Sequence, residues 1–128
     1  MNTELAMLVG AVVLAMIQVV VAAFGAYRQV GLPMLADNRE NMPDILGWAG
    51  RAARAHRNML ESLVLFAALV LTAHAAGVSN AMTVLGAQLF VWGRVAYAVL
   101  YIAGIPWART AAWAASVLGM LMILSQLL

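Results

Sequence analysis

The chain contains no cysteine and no lysine, and it carries little charge of either sign. Only 9% of its 128 residues are charged and 66% are hydrophobic, whereas about 25% of an ordinary soluble domain is charged. The missing cysteines exclude a disulfide scaffold, and they mean that any thiol chemistry requires a thiol from another molecule. The large apolar fraction excludes a disordered chain. This composition is typical of a protein for which lipid is part of the solvent.

Charge is concentrated in one segment, and long uncharged runs lie on either side of it. Nine of the twelve formal charges fall between Arg28 and Glu61. Residues 5–27 and 110–128 are uncharged, and each run suffices for one span, because a helix crosses the bilayer core in about 20 residues. The uncharged run 62–93 is too long for one span, and Gly77 and Asn80 suit the helix end and helix start between two spans.

The sequence therefore predicts an all-α membrane protein, a four-transmembrane-helix bundle that forms a single domain over residues 1–128. The helices are expected at about 4–27, 51–76, 80–103 and 107–127, with an earlier start of the second helix, near Asp44, as an alternative. In the last of them, Ala111, Ala115 and Gly119 form a ridge of small residues that predicts close helix packing.

The arginines give the predicted orientation. Six of the seven lie in the first loop, or at the helix ends on the same side of the predicted bundle. The positive-inside rule places this arginine-rich side in the cytoplasm and both termini outside. We therefore expect a multi-pass protein of an inner or plasma membrane. Basic residues crowded in this way indicate membrane topology, so nucleic acid is not expected as a partner.

The second predicted helix carries polar residues where charge is costly, which makes it a candidate functional site. Arg54, Asn58 and Glu61 have the spacing i, i+4, i+7 and share one helix face, and Arg51 lies one turn earlier. Arg51 and Arg57 also have a simpler interpretation as anchors at the membrane surface.

The third predicted helix carries Arg94, Tyr97 and Tyr101 at i, i+3, i+7, again on one face. Glu61 and Arg94 each lie about 15 Å from the arginine-rich side, given the rise of an α-helix. We therefore expect a buried Glu61–Arg94 ion pair, within a subunit or between subunits, in a polar pocket open to the cytoplasm. The two histidines are far apart along the second helix, so no metal site is expected.

These two motifs resemble those of the MAPEG family, the membrane-associated proteins in eicosanoid and glutathione metabolism. The segment Arg54–Glu61 is similar to the family's second-helix pattern Arg-x3-Asn-x2-Glu, and the segment Arg94–Tyr101 is similar to its third-helix pattern Arg-x2-Tyr-x3-Tyr. The four spans, the long first loop and the tight turn before the last helix also match, so the resemblance covers essentially the whole chain.

The resemblance implies a homotrimer that binds glutathione at subunit interfaces and takes a hydrophobic small-molecule substrate from the lipid bilayer. It implies that the second-helix residues hold glutathione from one subunit and the third-helix residues from its neighbour. The expected glutathione-binding residues, with Arg51 added from its place in the second helix, are Arg51, Arg54, Asn58, Glu61, Arg94, Tyr97 and Tyr101. An arginine after the third helix stabilises the thiolate in the family's transferases, which makes Arg109 the expected catalytic residue.

Three functions are compatible with these features. The leading hypothesis is a glutathione-dependent transferase or peroxidase that acts on a hydrophobic electrophile from the bilayer. The second is a non-catalytic lipid- or thiol-binding protein of the same fold, favoured by Ser62, where several glutathione-using members have tyrosine, and by the position of Arg109 beyond Pro106. The third is a small four-helix exporter in which Glu61 couples protons to a cationic substrate, although the surrounding arginines would repel a cation.

Overall fold

The computed structural model describes residues 1–128 and consists of helices joined by short segments. Four of its five helices are long and apolar enough to cross a membrane. The all-helical fold with four spans is therefore confirmed. In chain order the helices are α1 (Thr3–Val30), α2 (Leu32–Ala36), α3 (Gly47–Ala75), α4 (Ala81–Ala103) and α5 (Pro106–Leu127).

The first loop is shorter and more ordered than the sequence predicts. It contains the single helical turn α2, and α3 begins at Gly47, between the two predicted starts near Asp44 and at Arg51. The Gln29 side chain, at the end of α1, bonds both backbone groups of Leu46: its Nε2 donates to the carbonyl oxygen over 2.7 Å, and its Oε1 accepts from the N–H over 2.8 Å. This pair of hydrogen bonds fixes the start of α3 against the end of α1.

Helices α4 and α5 are antiparallel and approach closely through small residues. A Cβ atom added at Gly86 would lie only 2.6 Å from the carbonyl oxygen of Gly119, and one added at Gly93 would lie 3.1 Å from that of Ala112. At Gly86 a side chain would therefore force the two backbones apart, and at Gly93 the contact is tight.

Of the small-residue ridge predicted at Ala111, Ala115 and Gly119, Gly119 does pack closely against α4, and the rest of the buried stripe lies one position further along the helix. Ala111 is exposed, whereas Ala112, Ser116 and Gly119 are buried. Steps of four residues drift about 40° around a helix each time, whereas alternating steps of four and three return to the same face. The buried stripe follows the second pattern, and this keeps it directed at α4.

The core lies where α1, α3, α4 and α5 meet. Phe66 of α3 and Phe90 of α4 are fully buried and stack, with ring centroids 4.0 Å apart and planes within 13° of each other. Many other large apolar side chains are exposed, among them Val20, Val64 and Trp92. An apolar exterior of this kind suits a bundle surrounded by lipid.

A buried polar contact lies at the end of the bundle that holds both chain termini. Glu4 of α1 is buried and accepts hydrogen bonds from the Ser79 hydroxyl over 2.9 Å and from the Thr83 hydroxyl over 3.5 Å. Thr83 and Asn80 also form a capping box at the start of α4. The carboxylate thus joins the start of α1 to the start of α4, where the partial positive charges of two helix N-termini favour it.

Candidate functional site

A buried arginine forms the inner part of the polar site. Arg94 of α4 is only 1% exposed, and its Nη2 donates a 2.7 Å hydrogen bond to Oδ1 of Asn58 on α3. Its guanidinium carbon lies 4.2 Å from the centre of the Tyr97 ring. The other two nitrogens, Nε and Nη1, are buried and make no hydrogen bond. A cation inside the bundle is thus held only by neutral groups and retains donors for an anionic acceptor.

The predicted Glu61–Arg94 ion pair does not form within the chain, because Arg94 pairs with Asn58. Glu61 is exposed, whereas Arg94 is enclosed. Helical rise sets the depth of the two residues, but the rotation of each helix decides which side chains meet. Glu61 lies about 60° around α3 from Asn58, close to the direction of the exposed Arg54, and its side chain is exposed. An exposed Glu61 is free to meet a ligand.

The outer part of the site is built around Tyr101, near the end of α4. The Nε atom of Arg54 donates to its hydroxyl over 3.3 Å. The guanidinium carbon of Arg109, on α5, lies 4.2 Å from the centre of its ring. The Tyr97 and Tyr101 rings are tilted neighbours, with centroids 5.5 Å apart. Three helices therefore place Arg54, Arg94 and Arg109 around one pair of tyrosines.

This helical bundle, with its two motifs brought together, agrees with the comparison to known families. The MAPEG family model matches residues 3–128, almost the entire chain. The chain belongs to the MAPEG family. Members of this family are mostly glutathione-dependent transferases and peroxidases. No curated protein and no solved structure matches the chain.

In this MAPEG protein the two motifs meet inside a single chain. The Arg94–Asn58 and Arg54–Tyr101 hydrogen bonds each join α3 to α4 of the same subunit. The two sets therefore form one cluster within a chain, and the expectation from the family resemblance that neighbouring subunits share glutathione stays a prediction. The reason is local: α3 and α4 are consecutive antiparallel helices joined by the short segment 76–80, so their polar faces lie at one depth.

Arg51 is placed differently from the other predicted site residues. Its Nε donates over 2.9 Å to the carbonyl oxygen of Ile102, in the last turn of α4. Its guanidinium also lies beside Gly104, whose φ of 81° gives the left-handed helix end that glycine favours. Arg51 thus joins the first turn of α3 to the turn between α4 and α5, and this contact supports the position of Tyr101.

Two further side chains bear on the site. The hydroxyl of Ser62 donates to the carbonyl oxygens of Asn58 and Met59 in its own helix, so it is directed at the backbone.

Gln18 of α1 is not among the predicted site residues, but it is 5% exposed and its Oε1 makes no hydrogen bond. Since Glu4 lies beside Thr83 and α1 runs parallel to α4, Gln18 lies within about one helical turn of the depth of Arg94. In the sequence, Gln18 can be recognised because it is the one strongly polar residue of the uncharged run 5–27.

Proposed function

We propose that this MAPEG protein is an integral membrane glutathione-dependent transferase or peroxidase, acting on a hydrophobic electrophile from the bilayer. The observation that carries the proposal is the convergence of Arg54, Arg94 and Arg109 on the Tyr97–Tyr101 pair. Every hydrogen bond that an arginine side chain makes in this chain goes to a neutral acceptor. Three cations in one cluster without carboxylate partners favour an anionic ligand.

Glutathione fits this arrangement in charge and in hydrogen-bonding groups. Its two carboxylates suit the arginine donors, including the unpartnered nitrogens of Arg94. Its ammonium group suits the exposed carboxylate of Glu61. Asn58 and Tyr101 add an amide and a hydroxyl for its peptide groups. The same set of arginines would repel a cationic substrate, so the cluster does not support the exporter hypothesis.

The chemistry expected of the chain is modest. Bound glutathione supplies the thiol that the cysteine-free chain lacks. Arg109, at the start of α5, provides a positive charge that favours the thiolate over the thiol. Arg109 is held over the ring of Tyr101, so this charge keeps its place in the site. The hydrophobic electrophile reaches the site from the surrounding lipid.

We also propose a homotrimer, with the arginine-rich end of the bundle in the cytoplasm and both termini outside. The family resemblance supports the trimer, and the arginine asymmetry supports the orientation.

A second candidate is a non-catalytic lipid- or thiol-binding protein of the same fold. The conformation of Ser62 favours it, because its hydroxyl is bonded to the backbone of its own helix. The tyrosine that several glutathione-using members have at this position therefore has no counterpart here.

Glutathione calorimetry on the detergent-purified protein tests both candidates. We expect saturable binding by the wild type and its loss in Glu61→Gln and Arg94→Ala. Arg94→Ala changes a buried side chain and can affect folding. Arg54→Gln is therefore measured beside it, because Arg54 is exposed and its replacement leaves the interior intact. Arg28→Gln, which removes an exposed charge outside the cluster, should bind as the wild type does.

Turnover of a model electrophile then separates the two candidates. Binding with product formation supports the enzyme, and binding without product supports the binding protein. A folded wild type that does not bind glutathione contradicts the glutathione assignment for both.

A further inference from the structure

A second basic site lies beside the first, under the loop that joins α1 to α3. The loop and the two helices surround a cavity of about 790 Å³, a volume within the range of about 300–1,000 Å³ that is usual for ligand sites. Most of the lining residues are apolar. The charged ones are three arginines and a single acid, which are Arg39, Arg54, Arg57 and Asp44.

The cavity is lined by an apolar face of α1 and by arginines of the loop and α3. Val19, Ala22 and Ala26 line it from α1, inside the uncharged run that spans the membrane. Arg39 lines it from the loop and Arg57 from α3. A ligand that fills the cavity therefore has an apolar part against α1 and an anionic part at the arginines.

The arginine side chains are held without neutralisation. The Nε atom of Arg39 donates over 2.8 Å to the carbonyl oxygen of Leu35, which fixes the side chain and leaves its terminal nitrogens available. Arg54 bonds the hydroxyl of Tyr101. Both acceptors are neutral, so with Asp44 as the one acid the cavity keeps an excess of positive charge.

We propose that this cavity binds an anionic phospholipid, with the phosphate at Arg39 and Arg57 and an acyl chain along α1. Basic pockets between membrane helices attract anionic headgroups, and arginine forks match the geometry of phosphate oxygens. The cavity adjoins the proposed glutathione site and shares Arg54 with it, but Arg39 and Arg57, which would hold the phosphate, lie outside the proposed glutathione set. An occupied cavity would hold the loop and the start of α3 in place beside Arg54.

The test is native mass spectrometry of the detergent-purified protein with phosphatidylglycerol and phosphatidylcholine that have identical acyl chains. We expect the wild type to retain phosphatidylglycerol in preference. Arg39→Gln and Arg57→Gln should each lower its apparent affinity roughly fivefold, and the double variant should abolish the preference. Arg28→Gln is the matched control, because Arg28 is an exposed arginine of the same end, near Phe24 and outside the cavity; it should behave as the wild type.

Several outcomes would overturn the proposal. Equal retention of the two lipids, or an equal loss in Arg28→Gln, would mean attraction to the general surface charge. Competition by glycerol phosphate at the same affinity would mean a phosphate site without a lipid chain, and equal competition by oleate would mean a carboxylate site.

Two measurements on the same samples keep this test independent of the proposed function. Thermal unfolding shows that each variant is folded. Glutathione calorimetry should be unchanged in Arg39→Gln and Arg57→Gln. If glutathione binding fails in the wild type while the lipid preference holds, only the glutathione assignment is lost. If the wild type binds glutathione but shows no lipid preference, only the lipid site is lost.

Discussion

At the scale of single residues, the unusual feature is a fully buried arginine with no carboxylate beside it. Arg94 is 1% exposed and has one hydrogen-bond acceptor, Asn58. Burial of a charge is expensive, and the ring of Tyr97 offsets part of that cost through its negative face. Asn58 therefore has a structural role as well as its proposed role in ligand binding.

Asn58→Leu should destabilise the protein, because it removes the acceptor of this buried guanidinium. We expect the free energy of unfolding to fall by about 1.5–3 kcal/mol, the usual contribution of a hydrogen bond to a charged group. SDS titration in mixed micelles measures it. Asn58→Asp keeps an acceptor and adds a counter-charge, so its stability should equal or exceed that of the wild type. An Asn58→Leu protein as stable as the wild type would show that Arg94 does not depend on this bond.

Arg109→Ala should separate catalysis from binding. If Arg109 stabilises the thiolate, its loss lowers kcat on the order of 10²-fold or more, as for other groups that stabilise a developing charge. The Kd for glutathione should change little, because the other donors remain. Steady-state turnover and calorimetry on one preparation measure both, and Arg109→Lys, which keeps the charge, should recover part of kcat. Unchanged turnover in Arg109→Ala removes this residue from the mechanism.

The pairing of Arg94 shows how far residue spacing can predict a contact. Spacing and helical rise place Arg94, Asn58 and Glu61 at one depth, and two of the three do meet. The choice between Asn58 and Glu61 depends on the rotation of α3. That rotation is fixed by the packing of buried residues such as Ala55 and Met59. They lie within the segment Arg54–Glu61, but at positions that the polar motif leaves unspecified.

At the scale of helices, glycine contacts set the distance between α4 and α5. Gly86→Ala and Gly119→Ala should each destabilise the protein by about 1–3 kcal/mol, since the new methyl group meets backbone across the interface. Gly10 of α1 is a matched control, with no atom within 4 Å of an added Cβ. Gly10→Ala should be neutral or stabilising, because alanine is the better helix former. Equal effects at all three positions in SDS titration would show that the glycines do not act through close packing.

Glu4 provides a second test at this scale, because it joins α1 to the start of α4. A double-mutant cycle of Glu4→Ala with Ser79→Ala should give a coupling free energy of about 1.5–3 kcal/mol, the value for a hydrogen bond to a charged group. Ser125→Ala is the control, because the Ser125 hydroxyl bonds only within its own helix region and not to Glu4. Its effect should add to that of Glu4→Ala, and zero coupling with Ser79→Ala contradicts the contact.

The helices themselves were largely predictable, because a long uncharged run has few other stable structures in a membrane. At the arginine-rich side, the end of α4 and the start of α5 lie within one residue of their predicted positions, whereas the start of α3 was less well predicted. The early start of α3 at Gly47 depends on the two hydrogen bonds between Gln29 and Leu46, which are 17 residues apart in sequence. A contact between two loop-end residues leaves no periodicity or cap signal, so the sequence predicts a start nearer the charged run.

At the scale of the whole molecule, both polar motifs belong to one chain, and this bears on how an oligomer binds glutathione. Two differently tagged chains, one with Arg54→Gln and one with Tyr101→Leu, can be co-expressed, and oligomers carrying both tags purified. Each chain then has one intact and one damaged half of the Arg54–Tyr101 contact. We expect calorimetry to find no recovered glutathione binding, because no chain contains a complete site. A site shared between neighbours, with α3 from one chain and α4 from the next, would regain binding in these mixed oligomers, and recovery would contradict the single-chain cluster. Oligomers of wild-type and Arg54→Gln chains, which contain complete wild-type subunits, provide the positive control.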